Sequence, residues 1–299
     1  MSRIYVTLDT EMDSDEHWGK HYPPEYSSIL EGIPRLLRPI WDKHEVHPIY
    51  FVSPEVLYEE KNIEILKSEV EKGAIIGAHL HPEYIEPDSI FGKEMEKAIA
   101  KFPCSEYPNE IEKEKLIHLT ELIEKTLGVK PEWYRAARFG ADIDTIQILR
   151  ELGYKHDSSV TPHINWASKG GPDHSGAPTY PYVIADKDMY QESTTASDNR
   201  IWEHPVTIYG RRWGFMGKLL PDNWLFYRWL RPTHMTYVEL KGIIKQMVRE
   251  KRAEGVMMFH SMEIMIHKTP YVRAGWMQKY YLWRLEKSLG YARKKGYEL

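Results

Sequence analysis

Residues 3–13 read RIYVTLDTEMD, a short apolar run that ends in three acidic residues. In its first half, β-branched and other apolar residues alternate with more polar ones, a period of two that predicts a buried strand. Asp9, Glu11 and Asp13 continue the same period, so an extended chain places their carboxylates on one face. Crowded carboxylates repel one another and lose hydration, and they persist mainly where a cation neutralises them or catalysis uses one. The other interpretation is a solvated acidic loop that follows the strand.

The composition is that of an ordinary globular protein. Its 299 residues are 42% hydrophobic and 28% charged, and a formal net charge of -4 disfavours a nucleic-acid partner. The one cysteine, Cys104, excludes an intrachain disulfide and any multi-cysteine metal site. No basic segment followed by an apolar one precedes the first strand, and no uncharged stretch of about 18 residues occurs. We therefore expect a cytoplasmic protein.

Predicted strands and helices alternate along the first half of the chain. This order is typical of a parallel α/β sheet or barrel with polar residues at the carboxyl ends of its strands. No repeat, low-complexity tract or linker marks a boundary, so we expect one domain over residues 1–299, with an irregular excursion at 161–200. The predicted strands are 47–53, 73–81, 133–137 and 154–160. Two predicted helices begin after Ser27 and at Ser53, and two more cover residues 109–127 and 142–152.

A histidine pair ends the third predicted strand, in the sequence His79-Leu80-His81-Pro82-Glu83. In an extended chain, residues 79, 81 and 83 point the same way, toward the side that the acidic cluster could occupy. Imidazole and carboxylate donors without thiolates suit a catalytic zinc site with an open position, and they also suit iron, cobalt or nickel. The chain has 14 histidines, so such a pair arises easily by chance and the surrounding residues must support the interpretation.

Three further segments place charged or titratable residues near strand ends. Arg135 is a cation inside an apolar segment, where an arginine pairs either with a catalytic carboxylate or with one that serves only the core. Asp157 lies in the predicted strand 154–160 and could tune a histidine or cap a turn. His260 ends the late apolar run Val256–Phe259, a position expected of a general acid in the same ring of residues as a metal.

In order and spacing, these residues resemble the polysaccharide deacetylases of the NodB-homology type, carbohydrate esterase family 4. The resemblance covers most of the chain and follows five motifs in the family's order. It is strongest to the cytoplasmic branch that is found with surface-polysaccharide biosynthesis. The segments that carry it are Thr7–Glu11, Gly77–His81, Arg135–Gly140, Asp157–Ser159 and Phe259–His260.

The resemblance implies a distorted or incomplete (β/α) barrel and a metal-dependent hydrolase that removes an acetyl or formyl group from the nitrogen of an amino sugar or sugar conjugate. Two positions depart from the family's motifs. Thr10 stands where the motif has its second acid, so we assign the acidic metal ligand to Glu11, with Asp13 as the alternative. Glu83 stands where the motif has its second histidine, and we prefer His81 as the third ligand, with Glu83 as the alternative.

The mechanism that the resemblance implies gives each of these residues a role. The ligands Glu11, His79 and His81 hold a divalent cation, which we expect to be zinc. The base is an aspartate, the acid is a histidine, and two further charged residues orient them. In that mechanism Asp9, oriented by Arg135, removes a proton from the attacking water, while His260, kept charged by Asp157, protonates the departing amine.

Two rival functions belong to other classes. If the departures at Thr10 and Glu83 abolish metal binding, the chain is a metal-free carbohydrate-binding pseudoenzyme of the same fold. A glycosidase with paired carboxylates is the second rival, and it would not need His79, His81 or His260. Metal content after purification without a chelator separates the first rival from the hydrolase.

Residues 210–234, GRRWGFMGKLLPDNWLFYRWLRPTH, mix aromatic and basic side chains. Aromatic rings stack on sugar faces and arginines bind phosphates. We therefore predict an insertion that forms a substrate-facing lid or a peripheral membrane contact for a phosphorylated or lipid-linked sugar. The alternative is a helical hairpin whose tryptophans pack against the barrel as core. Burial of these aromatic residues distinguishes the two.

Overall fold

The computed structural model describes residues 2–92, 104–194, 199–210 and 227–299. The strands of the main sheet are β1 (Ser2–Thr10), β2 (Ile49–Val52), β3 (Ile75–Leu80), β4 (Trp133–Ala136), β5 (His156–Asp157), β6 (Tyr182–Val183), β7 (Trp202–Glu203), β10 (Glu254–His260) and β11 (Tyr297–Glu298), while β8 (Ile208–Tyr209) and β9 (Arg228–Trp229) form a hairpin. The α-helices are α1 (Arg38–His44), α2 (Glu60–Glu71), α3 (Asn109–Leu127), α4 (Ile143–Leu152), α5 (Tyr237–Arg249) and α6 (Gly275–Lys294).

The main sheet is a curled half-barrel. Its strands follow the order β10-β1-β2-β3-β4-β5-β7-β6, and β11 pairs with the start of β1. Neighbouring strands along this order are parallel except β6 and β7. Within the described residues the end strands β10 and β6 do not pair with each other, so the barrel is not closed. The predicted distorted or incomplete (β/α) barrel is confirmed.

The alternation of residues in β1 separates the two faces of the sheet. Ile4, Val6 and Leu8 are fully buried and belong to the large core between the sheet and the helices. Tyr5 points into the curl, where its ring centroid lies 4.9 Å from that of Trp133 on β4. The odd-numbered residues of β1, which include the first acid of the cluster, therefore face the interior of the half-barrel.

The first helical segment differs from the prediction in its geometry. Ser28–Leu37 is a π-helix that contains Pro34, and α1 continues from it. Because proline cannot donate a backbone hydrogen bond, the wider π turn is one way to accommodate it. Ser27 does not cap the helix with its side chain, and its hydroxyl instead donates to Asp13 at 2.5 Å. The acid predicted as an alternative metal ligand therefore fixes the entry to this helix.

The fifth predicted strand is much shorter than expected. Only His156–Asp157 pairs in the sheet, whereas we predicted a strand over 154–160. The hydroxyl of Ser158 donates to the backbone carbonyl of His204 at 2.8 Å, a group that a longer ladder would use. Side-chain bonds of this kind compete with strand pairing. By contrast, α4 begins as predicted, because Asp142 closes a capping box.

The aromatic and basic insertion is described only at its ends. Residues 211–226 lie outside the described residues, so most of the predicted lid is not tested. In the remainder, Trp229 is 1% exposed and Arg231 is 7% exposed. The hairpin that contains Trp229 joins β10 through a backbone hydrogen bond from Met258 to Leu230 at 3.3 Å. This part of the insertion is therefore core. No described helix is both long and apolar enough to cross a membrane.

A buried carboxyl on α3 makes stability depend on pH. One oxygen of Glu112 accepts from the hydroxyl of Thr145 at 2.7 Å, and the other has no hydrogen-bond partner among the described residues. Burial raises the pKa of Glu112 to about 7. The folded state therefore binds a proton that the unfolded chain releases near pH 4.5, and stability falls as the pH rises from there to about 7.

We predict that Glu112→Gln is more stable than the wild type at pH 8 by up to about 3 kcal/mol, and gains much less at pH 5. Urea unfolding of both proteins at the two pH values measures this difference. Glu110→Gln, an exposed substitution on the same helix, is the control and should change stability little at either pH. An equal effect of Glu112→Gln at both pH values would contradict the assignment.

Candidate active site

The candidate site lies inside the half-barrel at the carboxyl ends of its strands. Asp9 at the end of β1 is in register with His260 at the end of β10. His79 at the end of β3 is in register with Arg135 on β4. Because these side chains all point into the curl, the parallel register brings together residues that are far apart in the sequence. Most of the residues predicted for the site meet here.

Glu11, His79 and His81 form a buried group that could bind a metal ion. Oε1 of Glu11 lies 3.3 Å from Nε2 of His79 and 3.4 Å from Nε2 of His81. Nε2 of His81 is buried and has no hydrogen-bond partner among the described residues, so this nitrogen is available as a metal ligand. Two imidazoles and one carboxylate without thiolates are the donor set of a catalytic zinc site. These residues therefore fit the metal that the resemblance implies.

The outer ring nitrogens of both histidines are held in place. Nδ1 of His79 donates to the backbone carbonyl of Arg135 at 2.8 Å. Nδ1 of His81 donates to Glu83 at 3.1 Å, and Glu83 also accepts from Arg138 at 2.6 Å. Such bonds fix the tautomer that presents Nε2 as a metal ligand. Glu83, predicted as an alternative ligand, therefore lies behind His81.

The other alternative ligand, Asp13, is placed elsewhere. Its carboxylate accepts from the Ser27 hydroxyl and from the backbone N–H of Ser28 at 3.3 Å. The metal-capable group within the described part of the chain does not include it. The period-two pattern fails here because β1 ends at Thr10, so the residues beyond it no longer alternate strictly.

Charged neighbours keep the acids of this group ionised. Burial alone would raise the pKa of Glu11, but Lys20 and His81 hold it well below its usual range. Lys20 contacts the second oxygen of Glu11 at 3.1 Å. Burial alone would lower the pKa of His81, but Glu11 and Glu83 raise it to about 9, so a metal that bound Nε2 at neutral pH would displace a proton. Lys20 is a cation of the site that the sequence analysis missed, because no motif marks it.

Asp9 is paired with a buried arginine. Nη1 of Arg135 donates to Oδ1 of Asp9 at 2.7 Å, the contact that the sequence led us to expect. Arg135 is fully buried, and it also donates to Thr7 at 3.0 Å and to the carbonyl of Ser158 at 2.9 Å. Burial alone would raise the pKa of Asp9, but Arg135 and the nearby His79 lower it. Asp9 is therefore an oriented carboxylate at neutral pH.

His260 faces the same space from β10. Its Nε2 lies 3.8 Å from Oδ2 of Asp9 and 3.7 Å from Oε1 of Glu11. Its Nδ1 donates to Glu263 at 2.9 Å. Glu263 is fully buried and accepts from Arg231 and from the hydroxyl of Thr233. Burial alone would raise the pKa of Glu263, but Arg231 and His260 lower it, so an anion stands behind the histidine.

The acid beside His260 is therefore Glu263, and the prediction that Asp157 plays this part is wrong. Asp157 accepts from the hydroxyl of Ser159 at 2.6 Å and lies against Glu203. Burial raises its pKa, which favours the neutral form. The reason is topological, since β5 pairs with β4 and β7 and not with β10. The signal for Glu263 was its position three residues after His260, within reach across a single turn.

Solved structures share this architecture. No protein-family model and no curated protein sequence matches the chain. A Mycobacterium smegmatis protein assigned as a polysaccharide deacetylase is 16% identical, with a TM-score of 0.51 over 97% of this chain and 83% of that one. A Pseudomonas aeruginosa PAO1 protein with the same assignment is 13% identical, with a TM-score of 0.53 over 98% and 86%. The chain has the polysaccharide deacetylase fold.

A third solved structure with this fold is named as an enzyme of another kind, an allantoinase. Puue allantoinase is 12% identical to this chain, with a TM-score of 0.51 over 98% of this chain and 85% of that one. Identities this low establish the fold, whereas the reaction must be argued from the site. In this deacetylase fold, the carboxyl ends of the strands carry the metal-capable group, the Asp9–Arg135 pair and His260.

We predict that Arg135→Met lowers stability at pH 7 by about 3–5 kcal/mol, because Asp9 is left as a buried charge without a cation. In the wild type the pKa of Asp9 is lowered, so its carboxylate stays ionised at pH 4, but without Arg135 burial raises that pKa and Asp9 can take up a proton at pH 4. The loss in Arg135→Met should therefore be smaller at pH 4. Denaturant unfolding at both pH values measures it.

The double variant Asp9→Asn/Arg135→Met is the control for this prediction. It removes both charges, so it should recover part of the stability that the single variant loses. If the double variant is no more stable than Arg135→Met, the loss comes from packing and not from the unpaired carboxylate.

Proposed function

We propose that the protein is a metal-dependent hydrolase that removes an acetyl or formyl group from the nitrogen of an amino sugar or sugar conjugate. The observation that carries the proposal is the meeting of a metal-capable group with a carboxylate and an imidazole. Nε2 of His260 lies within 3.8 Å of both Asp9 and Glu11. Metal-assisted amide hydrolysis requires a base, an acid and a metal site that all face the same substrate position. The shared fold with polysaccharide deacetylases supports sugar as the substrate.

Glu11, His79 and His81 would hold the metal, and zinc is the ion that their donor atoms suit best. A bound divalent metal supplies Lewis acidity, which lowers the pKa of water and stabilises negative charge on a carbonyl oxygen. Lys20 contacts Oε2 of Glu11, so Oε1, which faces the two histidines, is the oxygen that would bind a metal. The outer partners of those histidines keep their Nε2 atoms directed toward Oε1.

The remaining residues move protons. Asp9 is ionised and held by Arg135 through Oδ1, which leaves Oδ2 to take a proton from the attacking water. His260 gives a proton from Nε2 to the departing nitrogen, because an amine leaves poorly as an anion. Glu263 accepts from Nδ1 of His260, so it fixes the orientation of the ring and directs Nε2 into the site. In this proposal Glu263 and Arg135 are positioning residues.

One contact favours a second function, a metal-free carbohydrate-binding protein of the same fold. The ammonium of Lys20 lies 3.1 Å from Glu11 and also donates to the carbonyl of Met12 at 2.8 Å. A cation of the protein itself thus compensates part of the charge that a metal would compensate. The departures at Thr10 and Glu83 point the same way. Metal analysis separates the two functions.

The paired-carboxylate glycosidase is disfavoured by the charge state of the site. Such an enzyme needs one carboxyl with a raised pKa to act as the acid. The pKa values of Asp9 and Glu11 are both lowered, since each carboxylate contacts a cation.

We also propose that the hydrolase acts in polysaccharide biosynthesis in the cytoplasm, as its resemblance to the cytoplasmic branch found with surface-polysaccharide biosynthesis suggests.

We predict about one equivalent of zinc in protein purified without chelators. Glu11→Gln and His81→Ala should each abolish stoichiometric binding, because each removes one of the three ligands. Glu83→Gln should bind the metal about 10–100-fold more weakly, since it removes the outer partner of His81. Metal analysis and competition with a chromogenic chelator measure both effects. Asp13→Asn is the matched control and should keep its metal; a metal-free wild type would favour the second function.

We predict that His260→Ala lowers turnover by about 10²–10⁴-fold with unchanged metal content, since it removes the general acid. The assay is release of acetate or formate from N-acetylated and N-formylated nucleotide sugars and glycolipids, with metal-stripped protein as the blank. His267→Ala, an exposed histidine seven positions later, should retain activity. Loss of metal in His260→Ala would instead make His260 a ligand.

A further inference from the structure

Helix α6 carries an exposed row of aromatic side chains on the outside of the molecule. Trp276, Tyr280 and Trp283 are 69%, 39% and 43% exposed. Their spacing of four and three residues places them on one side of the helix. Tyr237 at the start of α5 borders this row, because its ring centroid lies 5.4 Å from that of Trp283. We call Trp276, Tyr280 and Trp283 the aromatic face.

The rings of this face support one another. Tyr280 and Trp283 stack with their centroids 5.8 Å apart and their planes 19° apart. The guanidinium of Arg284 lies over the ring of Tyr280 at 5.1 Å and over that of Tyr281 at 5.0 Å. Large apolar rings exposed together are costly in water and mark surfaces that bind something. The aromatic face is therefore a preformed contact surface.

The surroundings of the aromatic face are basic. Lys279 and Lys287 of α6 are exposed on the same side of the helix, and Lys245 is exposed on α5. Helices α5 and α6 contain two acids: Glu286 pairs with Lys43 at 2.5 Å, and Glu239 accepts hydrogen bonds from Thr236 and keeps its charge. The chain as a whole carries a formal net charge of -4, so this positive patch is a local feature.

The opposite side of α6 is tied to the candidate active site. The ring of Tyr281 packs on Phe259, with centroids 6.1 Å apart, and its hydroxyl lies 3.5 Å from that of Thr233. Thr233 in turn donates to Glu263, the acid behind His260. One helix, about 10 Å across, therefore separates the aromatic face from the residues that position the candidate general acid.

We propose that the aromatic face docks on an anionic lipid surface. Tryptophan and tyrosine interleaved with lysine is the composition of membrane-interface anchors, in which rings enter the headgroup region and ammonium groups meet acidic lipids. Protein–protein interfaces favour aromatic residues but are depleted in lysine. A second copy of this face would bring like charges together, which opposes self-association. The proposal does not depend on which reaction the site performs.

Flotation of the full-length protein with vesicles tests the proposal. Vesicles of phosphatidylcholine with 30% phosphatidylserine should bind the protein at about 0.1 M salt, with a blue shift of tryptophan fluorescence, and pure phosphatidylcholine should bind it at least tenfold more weakly. Trp276→Ser/Trp283→Ser and Lys279→Glu/Lys287→Glu should each weaken binding at least tenfold. Tyr180→Ser, which changes another exposed aromatic residue, is the matched control.

Three results would overturn the proposal: no binding to anionic vesicles, binding that both double variants retain, or a dimer that the tryptophan variants dissociate. The last result would assign the face to a second copy of the chain. The substitutions are on the surface, so circular dichroism should be unchanged, and the charge-reversed pair still tests the proposal if the tryptophan pair misfolds. Flotation of His260→Ala keeps this test independent of catalysis, because that variant should bind vesicles as the wild type does.

Discussion

The buried ion pair between Arg135 and Asp9 is the interaction on which the rest of the site depends. Burying two charges costs several kcal/mol each, and only complete hydrogen bonding offsets that cost. Arg135 meets this condition, since its nitrogens donate to Asp9, to Thr7 and to both oxygens of Ser158. These partners come from β1 and from the segment after β5. The guanidinium therefore joins three parts of the half-barrel. The same side chain neutralises the buried carboxylate and holds the curled sheet together.

The three imidazoles of the site share one pattern of hydrogen bonds. In each, Nδ1 donates to an acceptor behind it, and Nε2 faces the shared space. For two of them the acceptor is a carboxylate that an arginine neutralises in turn. The acceptors are the carbonyl of Arg135 for His79, Glu83 with Arg138 for His81, and Glu263 with Arg231 for His260. The fold thus fixes ring orientation from the outside, which leaves the interior for a ligand.

The sequence predicted the parts of the site that lie on regular strands. Asp9, His79 and Arg135 follow the period of two, and parallel pairing brings strand ends together. The pairing of Glu263 could not be predicted with the same certainty, because it depends on a tight turn after β10 and on Arg231, 32 positions away. Asp157 was wrongly assigned as the partner of His260, because a motif gives the order of residues along the chain and does not show which strands are neighbours in the sheet. Likewise, the π-helix at Pro34 follows from local crowding that no periodic pattern records.

The contact between Lys20 and Glu11 separates folding from metal loading. Three acidic or basic groups buried together without a counter-ion would destabilise the apoprotein, and many small metal sites fold only with their metal. Here an internal ammonium already balances the carboxylate, so the apoprotein is expected to keep its shape. A preparation that has lost its metal would then keep its spectroscopic signature and its solubility. Intact structure would be no guide to whether the protein is competent for chemistry.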